Sequence, residues 1–155
     1  MDINLKKYLE KNKIAHSLHK HLPVHRVSDS KKIKDNLPAM HCKCLFLKSE
    51  KFYLIAMKAD KRLNLKFFKD NFKIKKIKFA NELELKEKLN TTPGSVSIFN
   101  IIYAKEISII IDKEVWDAEY TGFHPNQNNE TLILNKENLH KYIKSFKLKT
   151  EILPL

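Results

Sequence analysis

The chain has 155 residues, 43% of them hydrophobic, which suits one folded domain, 1–155, with its own core and no need of disulfide or metal staples. No apolar run approaches the ~18 residues that span a bilayer, and Met1-Asp2-Ile3-Asn4-Leu5-Lys6-Lys7 lacks a hydrophobic export core. A membrane partner is therefore set aside and a cytoplasmic location is the expectation. The net charge of +12 points to an anionic partner, nucleic acid first. Only Arg26 and Arg62 are arginine among thirty basic residues, so bidentate reading of bases is nearly absent and contact with backbone or strand ends is favoured.

Asp2 or Asn4 can cap a first helix that ends near Lys13, with Ile3, Leu5, Tyr8 and Leu9 on one side. Ala15–His21 reads as a strand, and Ser28 starts a short helix through Asp35 that Pro38 prevents from continuing. Strands follow at His41–Lys48 and Lys51–Met57, joined by a polar turn at Ser49-Glu50. Asn64 begins a helix carrying Leu65, Phe67, Phe68 and Phe72, and Ile74–Phe79 reads as a strand. Asn81-Glu82-Leu83-Glu84 is a capping-box variant that opens a helix to Leu89. Beyond a loop at Gly94 come apolar Ile98–Tyr103, a β-branched strand Ile107–Ile111, and strand-like Tyr120–His124 and Thr131–Leu134. Asn135 caps a last helix to about Phe146, and Leu148–Leu153 closes the chain as a strand. Helices mixed with strands imply an α/β or α+β domain.

Two glycines in the whole chain, Gly94 and Gly122, mark places where the backbone must reach φ > 0 or lie very close to a neighbour. Ser95 and Ser97 follow the first and His124 the second, so the two segments are the first candidates for a polar site. Lys43 stands in Cys42-Lys43-Cys44-Leu45-Phe46-Leu47, otherwise apolar on both faces. Such a lysine snorkels, pairs with a carboxylate, or faces a cavity that receives an anion. His124 is either a packed loop histidine or a hydrogen-bonding and acid–base group, with Asn126, Asn128 and Asn129 as amides beside it or as ordinary turn residues. His16, His19, His21, His25, His41, Cys42 and Cys44 lack metal-site spacing, so no metal is expected. The two cysteines are too close on one strand to bridge, and Cys44 reads as a buried inert thiol rather than an activated one.

Taken in order, His41-Cys42-Lys43-Cys44-Leu45-Phe46-Leu47-Lys48, Ala59-Asp60-Lys61-Arg62-Leu63, Pro93-Gly94-Ser95-Val96-Ser97 and Gly122-Phe123-His124-Pro125-Asn126 resemble the YbaK/prolyl-tRNA-synthetase-associated editing domain family, in particular its free-standing deacylases. The likeness runs from Leu18-His19-Lys20 and Pro23-Val24 to the last helix. It implies a single α/β domain with a mixed, barrel-like sheet flanked by helices. The activity it implies is hydrolysis of the ester of a mischarged tRNA for proline, Ala-tRNA foremost, without a cofactor and with the substrate's ribose hydroxyl helping to activate water. By this resemblance Lys43 holds the 3′-terminal nucleotide, the Gly94-Ser95 backbone faces the aminoacyl group or its oxyanion, and His124 lies at the pocket rim. Cys44, Ser95, Val96, Ser97, Phe123, Asn126 and Asn128 are then substrate-binding, and the partners are the acceptor end of the tRNA and prolyl-tRNA synthetase.

Two departures stand out. The loop after Gly94 carries Ile98 and Asn100 where relatives usually have proline and glycine, so a less rigid loop is expected, and His25-Arg26 replaces a phenylalanine-threonine pair. Alternatives are editing of Cys-, Ser- or Thr-charged tRNA, a non-catalytic tRNA- or RNA-binding module of the same fold, and a metal-dependent hydrolase using the histidines.

Overall fold

The structure is a computed structural model and describes residues 1–20, 39–125 and 129–155. Short polar side chains start its helices. Asp2 accepts the N–H groups of Asn4 and Leu5 to open α1 (Ile3–Lys11), and Asn64 accepts from Phe67 to open α2 (Leu65–Phe72). At α3 (Glu82–Leu89) the capping box is complete, Asn81 accepting from the Glu84 N–H and Glu84 from the Asn81 N–H. Asn135 caps α5 (Lys136–Lys144). Each such cap contributes roughly 1 kcal/mol. Asp112 opens a short α4 (Lys113–Asp117), which is not among the helices expected from sequence. The segment Ile98–Tyr103 is a 3-10 helix.

The strands are β1 (Ser17–Lys20), β2 (Met40–Lys48), β3 (Phe52–Lys58), β4 (Lys78–Phe79), β5 (Ile107–Asp112), β6 (Tyr120–Phe123), β7 (Glu130–Asn135) and β8 (Thr150–Leu153). The expected strand over Ile74–Phe79 shrinks to its last two residues. Ile74 and Ile77 both pack inward although their spacing puts them on opposite faces of a regular strand, so the segment gives up the pleat. The expected helix Ser28–Asp35 lies outside the described residues.

The eight strands form one mixed sheet in the order β1-β7-β6-β2-β3-β5-β8, with β4 beside β2. The pairs β2–β6, β3–β5 and β5–β8 are parallel, and the others are antiparallel. Alternation divides the core between the two faces. Cys42, Phe46, Leu54, Ile109 and Phe123 join α1, α3, α5 and the 3-10 helix in the main core, whereas Leu47, Tyr53, Ile55, Met57 and Ile110 meet Phe68 of α2 in a second, smaller one.

One feature of the sheet positions the site. Strand β2 pairs with β6 only through Met40 and His41, and with β4 only through Leu47 and Lys48. Among the described residues the edge of β2 between those points has no strand beside it, while its other edge pairs with β3 without interruption from Cys42 to Lys48. Among the described residues the sheet is therefore open beside residues 43–45.

Candidate functional site

The Gly94 segment is a tight turn. The Ser95 N–H donates to the Thr92 carbonyl oxygen at 3.1 Å, with Pro93 and Gly94 between them and Gly94 at φ +87°. This is a type II turn, which sets proline first and requires φ > 0 second. The Thr91 hydroxyl donates to the Ser95 carbonyl oxygen at 3.2 Å and holds the turn to the end of α3.

The loop departures Ile98 and Asn100 are held in place rather than left loose, which corrects the expectation from sequence; the other departure, His25-Arg26, lies outside the described residues. Asn100 is fully buried and its Oδ1 accepts the Ser97 N–H at 2.6 Å, while the Ser97 hydroxyl accepts the Phe99 N–H at 3.1 Å. These bonds close a capping box around the 3-10 helix, and Ile98 is buried beneath it. The pattern Ser97-x-x-Asn100 was the legible signal, a cap followed three residues later by an amide.

Gly122 sits within β6 rather than in a turn, and it is needed for a different reason. A Cβ there would lie 3.0 Å from the Thr131 Cγ2, so β7 packs where a side chain would go. Two residues on, His124 leaves the strand. Its carbonyl oxygen accepts the Ser97 hydroxyl, which ties the Gly94 loop directly to the Gly122 segment. Its Nδ1 lies 2.9 Å from the carbonyl oxygen of buried Glu130. A carbonyl only accepts, so the proton sits on Nδ1 and Nε2 is the acceptor of the neutral ring. Glu130, missed from sequence, thereby sets the tautomer, and its carboxylate pairs with the Met1 ammonium at 2.8 Å.

Lys43 borders the opening in the sheet. It is half-buried, registers against Met57 of β3, and by alternation lies on the face of the second core. Among the described residues no carboxylate comes within ion-pair distance of its ammonium. Burial holds Lys43 below the ordinary lysine value; more distant Asp60 opposes that shift and Arg62 adds to it. The parallel pairing Met40↔Thr121 and His41↔Gly122 sets β6 beside the start of β2, and His124 is the residue that follows β6.

Cys44 faces the other way, into the main core. Burial pushes its thiol up, and the Ile98 N–H aimed at the sulfur opposes this only in part, as an inert thiol requires. Phe123 is also core, edge-on to Phe99 at 6.1 Å. Ser95 and Val96 are half-buried beside the turn, and Asn126 and Asn128 lie outside the described residues. Among the described residues no three histidine, cysteine or acidic side chains converge as a metal would need; His21 and His25 lie outside them. No described helix is long and apolar enough to cross a membrane.

The chain belongs to the aminoacyl-tRNA editing domain family, whose model matches residues 21–142. It is an aminoacyl-tRNA deacylase, a hydrolase of the ester that joins an amino acid to tRNA. It is 31% identical over 142 residues to the prolyl-tRNA editing protein ProX of Acetoanaerobium sticklandii, an alignment covering 88% of this chain and 87% of that protein. In fold it is similar to a solved protein described as a candidate trans-editing enzyme for prolyl tRNA synthetase. That match has TM-score 0.73 and 12% identity, and covers 99% of this chain and 98% of the other. A solved protein described only as hypothetical gives TM-score 0.76 at 14% identity over 96% and 97% of the two chains.

Proposed function

We propose that this deacylase edits in trans, hydrolysing mischarged tRNA for proline with Ala-tRNA as the foremost substrate. The observation that carries the reading is the bond from the Ser97 hydroxyl to the His124 carbonyl, which joins the two glycine segments beside the opening that Lys43 borders. No nucleophile is required, because an ester is reactive enough that orientation and one or two oxyanion donors suffice. In this reading the Lys43 ammonium holds the 3′-terminal nucleotide as a point charge, and Nε2 of His124 accepts a hydrogen bond at the pocket rim.

Elimination names the oxyanion donors. The N–H of Ser95 serves the turn, that of Ser97 meets Asn100, that of Ile98 meets Cys44, and those of Phe99 and Asn100 meet Ser97. Among the described residues, the N–H groups of Thr92, Gly94 and Val96 are the ones in this loop left without a partner, and we assign those of Gly94 and Val96, which flank Ser95, to the developing oxyanion. One such donor is worth about 2.7–4 kcal/mol of transition-state stabilisation. Ser97 and Phe123 then shape the pocket from behind, and the water is activated with help from the substrate's ribose hydroxyl. Cognate proline is excluded by pocket size, the weaker kind of discrimination. Recruitment by prolyl-tRNA synthetase extends the reading and is tested by co-purification of the two proteins.

The direct test is deacylation of tRNA for proline pre-charged with alanine, cysteine, serine, threonine or proline, by wild type and Lys43→Ala. Fastest loss of alanine, slowed about 10-fold or more in the variant, is expected. A variant that hydrolyses every substrate at the wild-type rate overturns the assigned site.

A further inference from the structure

At the far end of β2 from Lys43 lies an open groove of ≈ 1160 Å³ between the β2–β3 turn, the C-terminal end of α2 and the segment leading into β4. It is larger than a typical small-molecule pocket. Six of its walls are the lysines Lys51, Lys69, Lys73, Lys75, Lys76 and Lys78. Among the described residues none of these six has a carboxylate within ion-pair distance, whereas the seventh, Lys48, is taken up by Glu84. Among the described residues Glu50 is the one acid on the lining. Tyr53, Phe72, Ile74 and Ile77 also line the groove, and their places in the second core and in α2 fix the segments that carry the lysines. A lysine coat that served solubility alone would have no reason to concentrate on one concave surface with its counter-charges elsewhere.

We infer that this groove is a second RNA-backbone site, which grips the phosphates of the same tRNA whose aminoacyl end is held at Lys43; the inference rests on the editing reading above. Lysine point charges bind phosphates without reading sequence. Lys43 and Tyr53 belong to the same face of the sheet, and Lys48 is five residues along β2 from Lys43, roughly 16 Å at the rise of a strand. A chain a few nucleotides long spans that distance, and between the two points it passes α2, whose exposed Lys66 adds to the path. The groove then supplies affinity that does not depend on the attached amino acid, and the Lys43 end supplies the chemistry.

The test compares the full chain with the triple variant Lys73→Gln, Lys75→Gln, Lys76→Gln, and with a control of equal charge on the opposite face, Lys6→Gln, Lys7→Gln, Lys11→Gln. Binding of uncharged tRNA is followed by fluorescence anisotropy across a salt series. The groove variant is expected to shallow the slope of log K against log salt by about 2 to 3, close to one unit per lost phosphate contact. It is also expected to raise KM for full-length charged tRNA with kcat unchanged, and to leave hydrolysis of a short aminoacylated acceptor-end oligonucleotide alone. Equal slopes in groove and control variants, or a wild-type slope in the groove variant, overturn the groove. Absence of turnover on any charged tRNA, with the groove-specific loss of slope intact, overturns the editing reading instead.

Discussion

Lys43→Met separates a functional ammonium from a structural one. In the native protein the charge is half-buried on an apolar strand, beside Met57 in the facing register and with Leu45 next on its own face, and Asp60 acts on it only from beyond ion-pair distance. Such a cation loses hydration and, among the described residues, recovers it from no ion-pair partner; burial lowers its pKa. Methionine has a similar length and no charge, so the substitution removes an unfavourable desolvation and adds apolar contact. The expected change in stability runs from neutral to a gain of about 1 kcal/mol. For a chain of this length that is a rise of about 2–4 °C in Tm. Deacylation moves the other way. A hydrogen bond to a charged group contributes about 1.5–3 kcal/mol, so with tenfold per 1.36 kcal/mol the loss in kcat/KM is about 10- to 150-fold. Thermal unfolding and single-substrate deacylation of Ala-charged tRNA for proline, run on the same preparation, give both numbers. A loss of more than about 2 kcal/mol of stability would show that the ammonium holds the fold together, and unchanged kcat/KM would show that it does not touch the substrate. Either refutes the reasoning.

Other outcomes follow from the same geometry. Because burial lowers the Lys43 pKa, kcat/KM corrected for spontaneous alkaline hydrolysis should start to fall below the ordinary lysine range as pH rises, and Lys43→Met should lack that descent. The same shift makes Lys43 bind more protons in the unfolded chain than in the native one between its two pKa values, so the stability of wild type relative to Lys43→Met should rise with pH there, as pH-dependent unfolding of both proteins would read. Gly94→Ala meets no atom within 4 Å but forces φ +87° on a residue with a Cβ, so a cost of about 1–2 kcal/mol is expected together with a drop in kcat; a variant with full stability and rate would put the turn outside the site. Gly122→Ala instead drives a Cβ to 3.0 Å from the Thr131 side chain, and Gly122→Ala combined with Thr131→Ser should recover part of the lost Tm. Ser97→Ala leaves the Phe99 N–H and the His124 carbonyl without their partner inside the protein, and should lower stability by about 1–3 kcal/mol while reducing kcat more than it raises KM.

Local rules made much of the fold legible. Asp2, Asn64, Asn81 and Asn135 start helices where their side chains can accept orphan N–H groups, and these caps depend only on neighbours in sequence. The apolar strands β2, β3 and β5 were readable from composition. The rarity of glycine alone singles out Gly94 and Gly122. It also has a cost in the fold, since Lys13, Lys73, Asn90 and Glu106 take up left-handed positions that glycine would fill more easily. Sequence alone reads Ile98 and Asn100, standing where relatives have proline and glycine, as loosening the loop, whereas the buried bond of Asn100 to the Ser97 N–H ties it down.

The sequence by itself determined the caps, the main strands, the basic charge and the residue types brought to the site, because each follows from contacts a few positions long. Only the tertiary structure decided that β6 leaves β2 after His41, that Ser97 meets the carbonyl of a residue 27 positions away, and that six lysines with no ion-pair partner among the described residues line one groove. Those arrangements depend on strand register and sheet divergence, which are set by how distant apolar faces bury one another and carry no local signature.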